Sequence, residues 1–118
     1  MEKSLNLSLI EGRLTHDPEL MYTKSGTAIC KFDIAVNFNL KTKGEVYSEV
    51  SFISVNTWNK VADACYQYLK KGSKVRVNGR LKQNSWVNKN GEKRNKIIIE
   101  ALSVEFLGTP KKSEKVAS

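Results

Sequence analysis

The sequence predicts a small closed β-barrel that carries a single helix. Three observations predict it. Apolar and polar residues alternate in five main stretches, helical spacing occurs in only one, and glycines stand where the strands of so small a barrel must bend. The 118 residues allow one ordinary domain, and 40% apolar with 27% charged residues is the balance of a globular chain.

The first stretch begins at Leu5, with Leu5, Leu7 and Leu9 on one face and Asn6 and Ser8 on the other, the period of a half-buried strand. Gly12 interrupts it before Arg13 and Leu14 and marks a bulge or bend. Asp17-Pro18 and Lys24-Ser25-Gly26 are turn chemistry and leave room for a short strand at Leu20 to Thr23. Cys30, Phe32, Ile34 and Val36 then alternate with Lys31, Asp33 and Asn37. Lys41 to Glu45 reads as a loop. A third main strand follows over Val46 to Thr57, with Ile53 and Val55 inward and Phe52 sharing the other face with Ser54 and Asn56.

The period changes over 58–71. Val61, Ala64, Cys65, Tyr68 and Leu69 recur at helical spacing, Lys70 and Lys71 close the last turn, and Gly72 follows as a stop signal. Val75, Val77 and Leu81 then oppose Lys74, Arg76, Arg80, Lys82 and Trp86, in a phase that Gly79 is placed to shift. Asn90-Gly91 is the strongest short hairpin signal in the chain. The last strand runs from about Arg94 to Leu107, and Ile97-Ile98-Ile99 is too apolar to read a single face. The expected organisation is a domain over 1–108 and a short, basic, flexible tail over 109–118. Five strands with one helix between the third and fourth is the element order of the five-stranded OB-fold, whose barrels commonly bind oligonucleotides. A β-sandwich more often has more strands and lacks the helix.

Composition excludes several functions. No run approaches 18 apolar residues and no apolar leader opens the chain, so a cytoplasmic protein without membrane contact is expected. Cys30 and Cys65 match no CxxC spacing and fall on inward faces, which makes them packing residues and not ligands or nucleophiles. His16 stands alone in a turn without an oriented partner, and no phosphate-binding glycine loop occurs. Neither an enzyme, a metal site nor a cofactor is expected.

Charge is the informative property. The net +8 belongs to the second half of the chain: residues 1–50 balance at −1 and residues 51–100 at +8, and Lys70 to Lys96 holds ten basic residues against one acid, Glu92. One basic sector on a folded domain is the electrostatic footprint of a phosphate backbone. Holding single-stranded nucleic acid also requires flat side chains on which bases stack. Trp86 is the best candidate, because its phase places it with Arg80 and Lys82. Phe52 lies on a mostly polar face, and Trp58 at the strand-to-helix junction either stacks on a base or covers the helix end. Phe38 follows the inward phase unless the strand end turns it out. Phe32, Phe106 and Tyr68 read as core. The candidate stacking residues are therefore Trp58, Trp86, Phe52 and Phe38. The candidate phosphate contacts are Lys74, Arg76, Arg80, Lys82, Lys93, Arg94 and Lys96.

Gly12-Arg13-Leu14-Thr15-His16-Asp17-Pro18-Glu19-Leu20, Tyr22-Thr23 and Ser25-Gly26-Thr27-Ala28 resemble the opening of bacterial single-stranded DNA-binding proteins. The similarity continues through Trp58-Asn59-Lys60-Val61-Ala62, Tyr68-Leu69-Lys70-Lys71-Gly72-Ser73, Val77-Asn78-Gly79-Arg80-Leu81 and Trp86, and covers roughly residues 5–107. The resemblance implies an OB barrel that assembles as a homotetramer and wraps single-stranded DNA over aromatic and basic side chains. That DNA would be protected during replication, recombination and repair. It also implies that Trp86, Trp58 and Phe52 occupy the family's aromatic positions, and that Phe38 or Leu40 supplies the second-strand contact. Ile53 stands where the family usually has a polar residue. The family's acidic tip ending in Pro-Phe is replaced here by Lys111-Lys112-Ser113-Glu114-Lys115-Val116-Ala117-Ser118, so recruitment of partners by such a tip is not expected. A plasmid, phage or accessory variant, or a truncated chain, would explain that ending. The rival reading is a primosomal accessory barrel acting mainly as a protein-interaction scaffold, and an RNA-binding barrel is a third.

Overall fold

Long alternating stretches make long strands, and here they outrun the barrel they form. The computed structural model describes residues 2–108; the expected basic tail lies outside the described residues. In chain order the elements are β1 (Ser8–Leu14), β2 (Glu19–Tyr22), β3 (Ala28–Thr42), β4 (Glu45–Trp58), α1 (Asn59–Tyr68), β5 (Lys74–Val87) and β6 (Lys93–Gly108). The sheet order is β1-β5-β6-β4-β3-β2, and an additional β1–β3 pairing closes five of the strands into a barrel, the OB-fold. The short β2 pairs only with β3, so the helix falls between the fourth and fifth of six strands, at the expected place in the chain.

Closure needs strands that bend. β1 pairs with β5 from Ser8 to Arg13 and with β3 at Arg13 and Leu14. At the crossing, a Cβ on Gly12 would stand 2.5 Å from the Ala35 carbonyl oxygen. A Cβ on Gly79 would strike the Glu100 carbonyl and the Ala101 backbone, beside the register shift at Asn78/Gly79. Both positions require glycine for close backbone approach. β4 and β6 meet in a short parallel contact, Val55 opposite Ile99 and Asn56 opposite Glu100.

The core is Leu14, Cys30, Phe32, Ile34, Val55, Val75, Val77, Ile99 and Ala101, capped by Ala62, Cys65 and Leu69 from α1 and its end. Both thiols are buried. Loss of hydration pushes Cys30 up to about 11 and Cys65 up to about 12. The Thr57 hydroxyl satisfies the Cys30 carbonyl at 2.8 Å.

Two turns share one construction. In Thr23–Thr27 and Asn88–Glu92 a glycine with positive φ (Gly26 +87°, Gly91 +78°) donates its N–H to the first residue's carbonyl. That first side chain also accepts from the fifth residue's N–H, at 3.1 and 2.9 Å. The Asn90-Gly91 signal thus closes a three-residue loop with a bulge instead of a two-residue turn.

Several sequence expectations are corrected. Leu5, Leu7 and Leu9 are exposed, because the strand begins at Ser8 and its inward phase is that of Ile10 and Leu14. Alternation says which residues share a face, not which face is inner. The helix ends at Tyr68, and Leu69 is already extended, so Lys70 and Lys71 lie in the turn beyond it. Tyr68 is exposed, and its ring meets half-exposed Phe106 at 6.2 Å between centroids. Leu81 keeps the inward phase but lies past the end of the packed core and is exposed. The expected loop Lys41 to Glu45 is only the two-residue turn Lys43-Gly44, both with positive φ, so β3 and β4 pair out to Thr42 and Glu45.

Candidate nucleic-acid interface

Cross-strand register assembles the candidate surface. In β4, Phe52, Ser54, Asn56 and Trp58 alternate with the inward Ile53, Val55 and Thr57. Asn56 stands opposite Glu100, and Glu100 opposite Arg80. Directly opposed residues share a face, so the outer row of β5 (Lys74, Arg76, Arg80, Lys82, Asn84, Trp86) continues the outer row of β4. Arg94 opposite Trp86 and Lys96 opposite Asn84 add the outer row of β6. Three aromatics and six cations thereby lie on one curved face.

Each aromatic is placed by its local backbone. Trp86 is 47% and Phe52 67% exposed. Trp58 is the last residue of β4, and Asn59, at φ +56°, turns the chain sharply into α1; asparagine tolerates that left-handed conformation. The Trp58 ring is half-buried, and its indole N–H finds no acceptor among the described residues. Phe38 pairs with Glu49 and stays in the phase of Cys30, Phe32 and Ile34, but β3 has left the barrel there and the ring is 58% exposed. Ala35, not Phe38, lies opposite Phe52, so the two phenylalanines occupy opposite faces of the β3–β4 hairpin. Lys93, opposite Val87 at the tip of the β5–β6 arm, is likewise on the other face.

The cations differ in what holds them. Arg76 bridges Glu11 at 3.0 Å and Glu105 at 3.3 Å, and Arg94 meets Glu92 at 3.4 Å. Arg80 and Lys82 share Glu100, at 2.6 and 3.4 Å. Burial alone would raise the Glu100 carboxyl, but hydrogen bonds and charge from Arg80 and Lys82 outweigh it and hold the group below its ordinary value. Lys96 donates to the Ser54 hydroxyl at 2.6 Å, and Ser54 in turn donates to Asp33 at 2.7 Å. Sequence reading missed Asp33, Ser54 and Glu100 as parts of this surface. The outward phase of Asp33 and Ser54 was visible, whereas their partners depend on register between distant strands.

Elsewhere, His16 contacts the Thr15 hydroxyl at 2.9 Å and helps line a pocket of about 310 Å³ with Asp17, Glu19 and Asp33. No group of metal-ligating side chains occurs among the described residues, and no described helix is long and apolar enough to cross a membrane.

The solved structure of a Plasmodium falciparum SSB complex with ssDNA superposes with a TM-score of 0.83, covering 92% of this chain and 99% of that one at 24% identity. It shares the fold. The single-stranded DNA-binding protein of Wolinella succinogenes is 42% identical over 103 residues, 86% of this chain and 64% of its own length. That of Treponema pallidum is 38% identical over 105 residues, 89% of this chain and 59% of its own length. The chain thus spans about three-fifths of the length of these curated relatives. The profile of the Single-strand binding protein family matches residues 5–107, and the chain belongs to that family.

Proposed function

We propose that this chain binds single-stranded DNA without sequence preference and without catalysis, protecting it in the cytoplasm, at the nucleoid, during replication, recombination and repair. The observation that carries the reading is the single outer face on which Trp86, Phe52 and Trp58 stand among Lys74, Arg76, Arg80, Lys82, Arg94 and Lys96. Flat rings accept unstacked bases of any identity, and cations track the phosphates between them. Phe38 and Lys93 extend the contact only for a strand that passes around the arm tips. The names of the bacterial relatives support the same ligand.

A homotetramer is part of the proposal. Leu5, Leu7 and Leu9 lie exposed along the N-terminal edge of the barrel, an apolar strip that a second copy would cover. Residues 1–108 act as the binding domain in this reading.

The test is a titration with oligo-dT at low salt, read by tryptophan fluorescence beside a mass measurement of the free protein. The expected results are strong quenching, affinity that falls steeply with salt, and a mass of four chains. Absence of quenching would remove the DNA-binding reading. Preference for oligo-U in competition would redirect it to RNA.

A further inference from the structure

We infer that Glu100 is an internal competitor for the phosphates of the bound strand: its carboxylate occupies Arg80 and Lys82 in the free protein, and a phosphate gains either cation only by displacing it. This inference rests on the reading of the outer face as a single-stranded DNA interface. Three observations carry it.

The first is geometry. One carboxylate oxygen accepts from Arg80 at 2.6 Å and the other from Lys82 at 3.4 Å. Both oxygens are committed, each to a different cation, as two non-bridging phosphate oxygens would be. The second is position. Glu100 lies between Asn56 and Arg80 in the row that joins the strand of Trp58 to the strand of Trp86, and so sits inside the surface instead of at its rim. Its side chain is only 18% exposed, against 49% for Arg80 and 42% for Lys82. The long cations are free to turn outward to a ligand, and the shorter, partly sunken carboxylate cannot follow them. The third is contrast with the neighbouring cation. Lys96 is held by the neutral hydroxyl of Ser54, with the Asp33 carboxylate one hydrogen bond further away, and so makes no direct ion pair among the described residues. Arg80 and Lys82 present one net positive charge between them. Exposed ion pairs are weak enough to exchange, so Glu100 lowers affinity and speeds release without closing the site.

Glu100→Gln deletes the charge and keeps a side chain of the same shape that still accepts from Arg80. Oligo-dT binding is followed by tryptophan fluorescence across a salt series for the wild type and this variant, with a thermal melt to show that both are folded. The expected result is about three- to tenfold tighter binding at low salt, with a plot of log K against log salt steepened by up to about 0.7, the increment for one more neutralised phosphate on a single strand. If Glu100→Gln melts early, the comparison moves to Lys96→Gln and Lys82→Gln. The inference requires the Lys96 variant to lose more affinity and more salt dependence than the Lys82 variant. A folded Glu100→Gln protein that binds no tighter than wild type, or an equal or reversed order in the second comparison, overturns the inference and leaves the DNA-binding reading intact. A wild type that does not bind oligo-dT overturns both.

Discussion

Cys30, Phe32 and Ile34 of β3 are shut away from water, whereas Phe38 and Leu40, in the same strand and the same phase, are exposed. The same break occurs in β5, where Val75 and Val77 are buried and Leu81 is not. In the barrel body the inward phase packs into a core drawn from five strands and α1. In the two arms, β3–β4 beyond about residue 36 and β5–β6 from about residue 80 to 97, strand pairing is within the hairpin alone, and polar contacts such as Asn6 with Leu81 and Lys96 with Ser54 tie only the base of the β5–β6 arm to the rest. A strand longer than its barrel carries its apolar phase out into solvent. Phe38, Leu40 and Leu81 are exposed there for that reason, whereas Trp86 is exposed because it stands on the outer face, opposite Arg94. Buried core and outer face therefore divide stability from binding, and that outer face runs from the body (Phe52, Trp58) onto the β5–β6 arm (Trp86).

The sharpest way to break that division is to cut the core. Ile34→Ala removes a fully buried side chain and is expected to cost about 2–5 kcal/mol of stability in a denaturant melt. Oligo-dT affinity of the folded fraction should stay at the wild-type value; a parallel loss of affinity would show that core and outer face are coupled. On the arm, Trp86→Ala is expected to weaken oligo-dT binding by about 1–3 kcal/mol while the melting curve overlays that of the wild type. A comparable fall in stability would mean that the ring packs more than its exposure indicates. The smallest effect separates the two faces of one hairpin. Phe52→Ala should cost about 1 kcal/mol of binding and Phe38→Ala clearly less, because Phe38 faces away from the row that contains Phe52, Trp58 and Trp86. Equal losses would show that the strand passes around the arm tip.

Much of this was readable in the residues. The inward phases of β3 and β4, burial of both cysteines and exposure of Trp86 follow from alternation and helical spacing, which are local properties. Gly12 and Gly79 announced bends, and each proved to be a point of backbone contact with another strand. Local pattern failed where burial depends on what lies across the gap. Leu5, Leu7 and Leu9 form as clean an apolar face as any in the chain, yet nothing among the described residues covers it. Tyr68 and Phe106 have core periodicity but meet each other at the rim. The candidate phosphate contacts looked like unopposed positive charge, because Glu11, Glu100 and Glu105 are distant in sequence and arrive beside Arg76, Arg80 and Lys82 only through strand register.

By itself, then, the sequence determined the strand periods, the single helix, the places where backbones must touch and a second half rich in cations and aromatics. Those depend on steric preference and on polarity repeating along one chain. Only the tertiary structure decided which phase is buried, where the barrel ends along each strand, and which cations already hold a carboxylate. Those depend on atoms brought together from strands far apart in the chain. Glu100 shows the difference: in the sequence it is one acid at the end of an isoleucine run, and in the fold it is the anion that two of the binding cations already share.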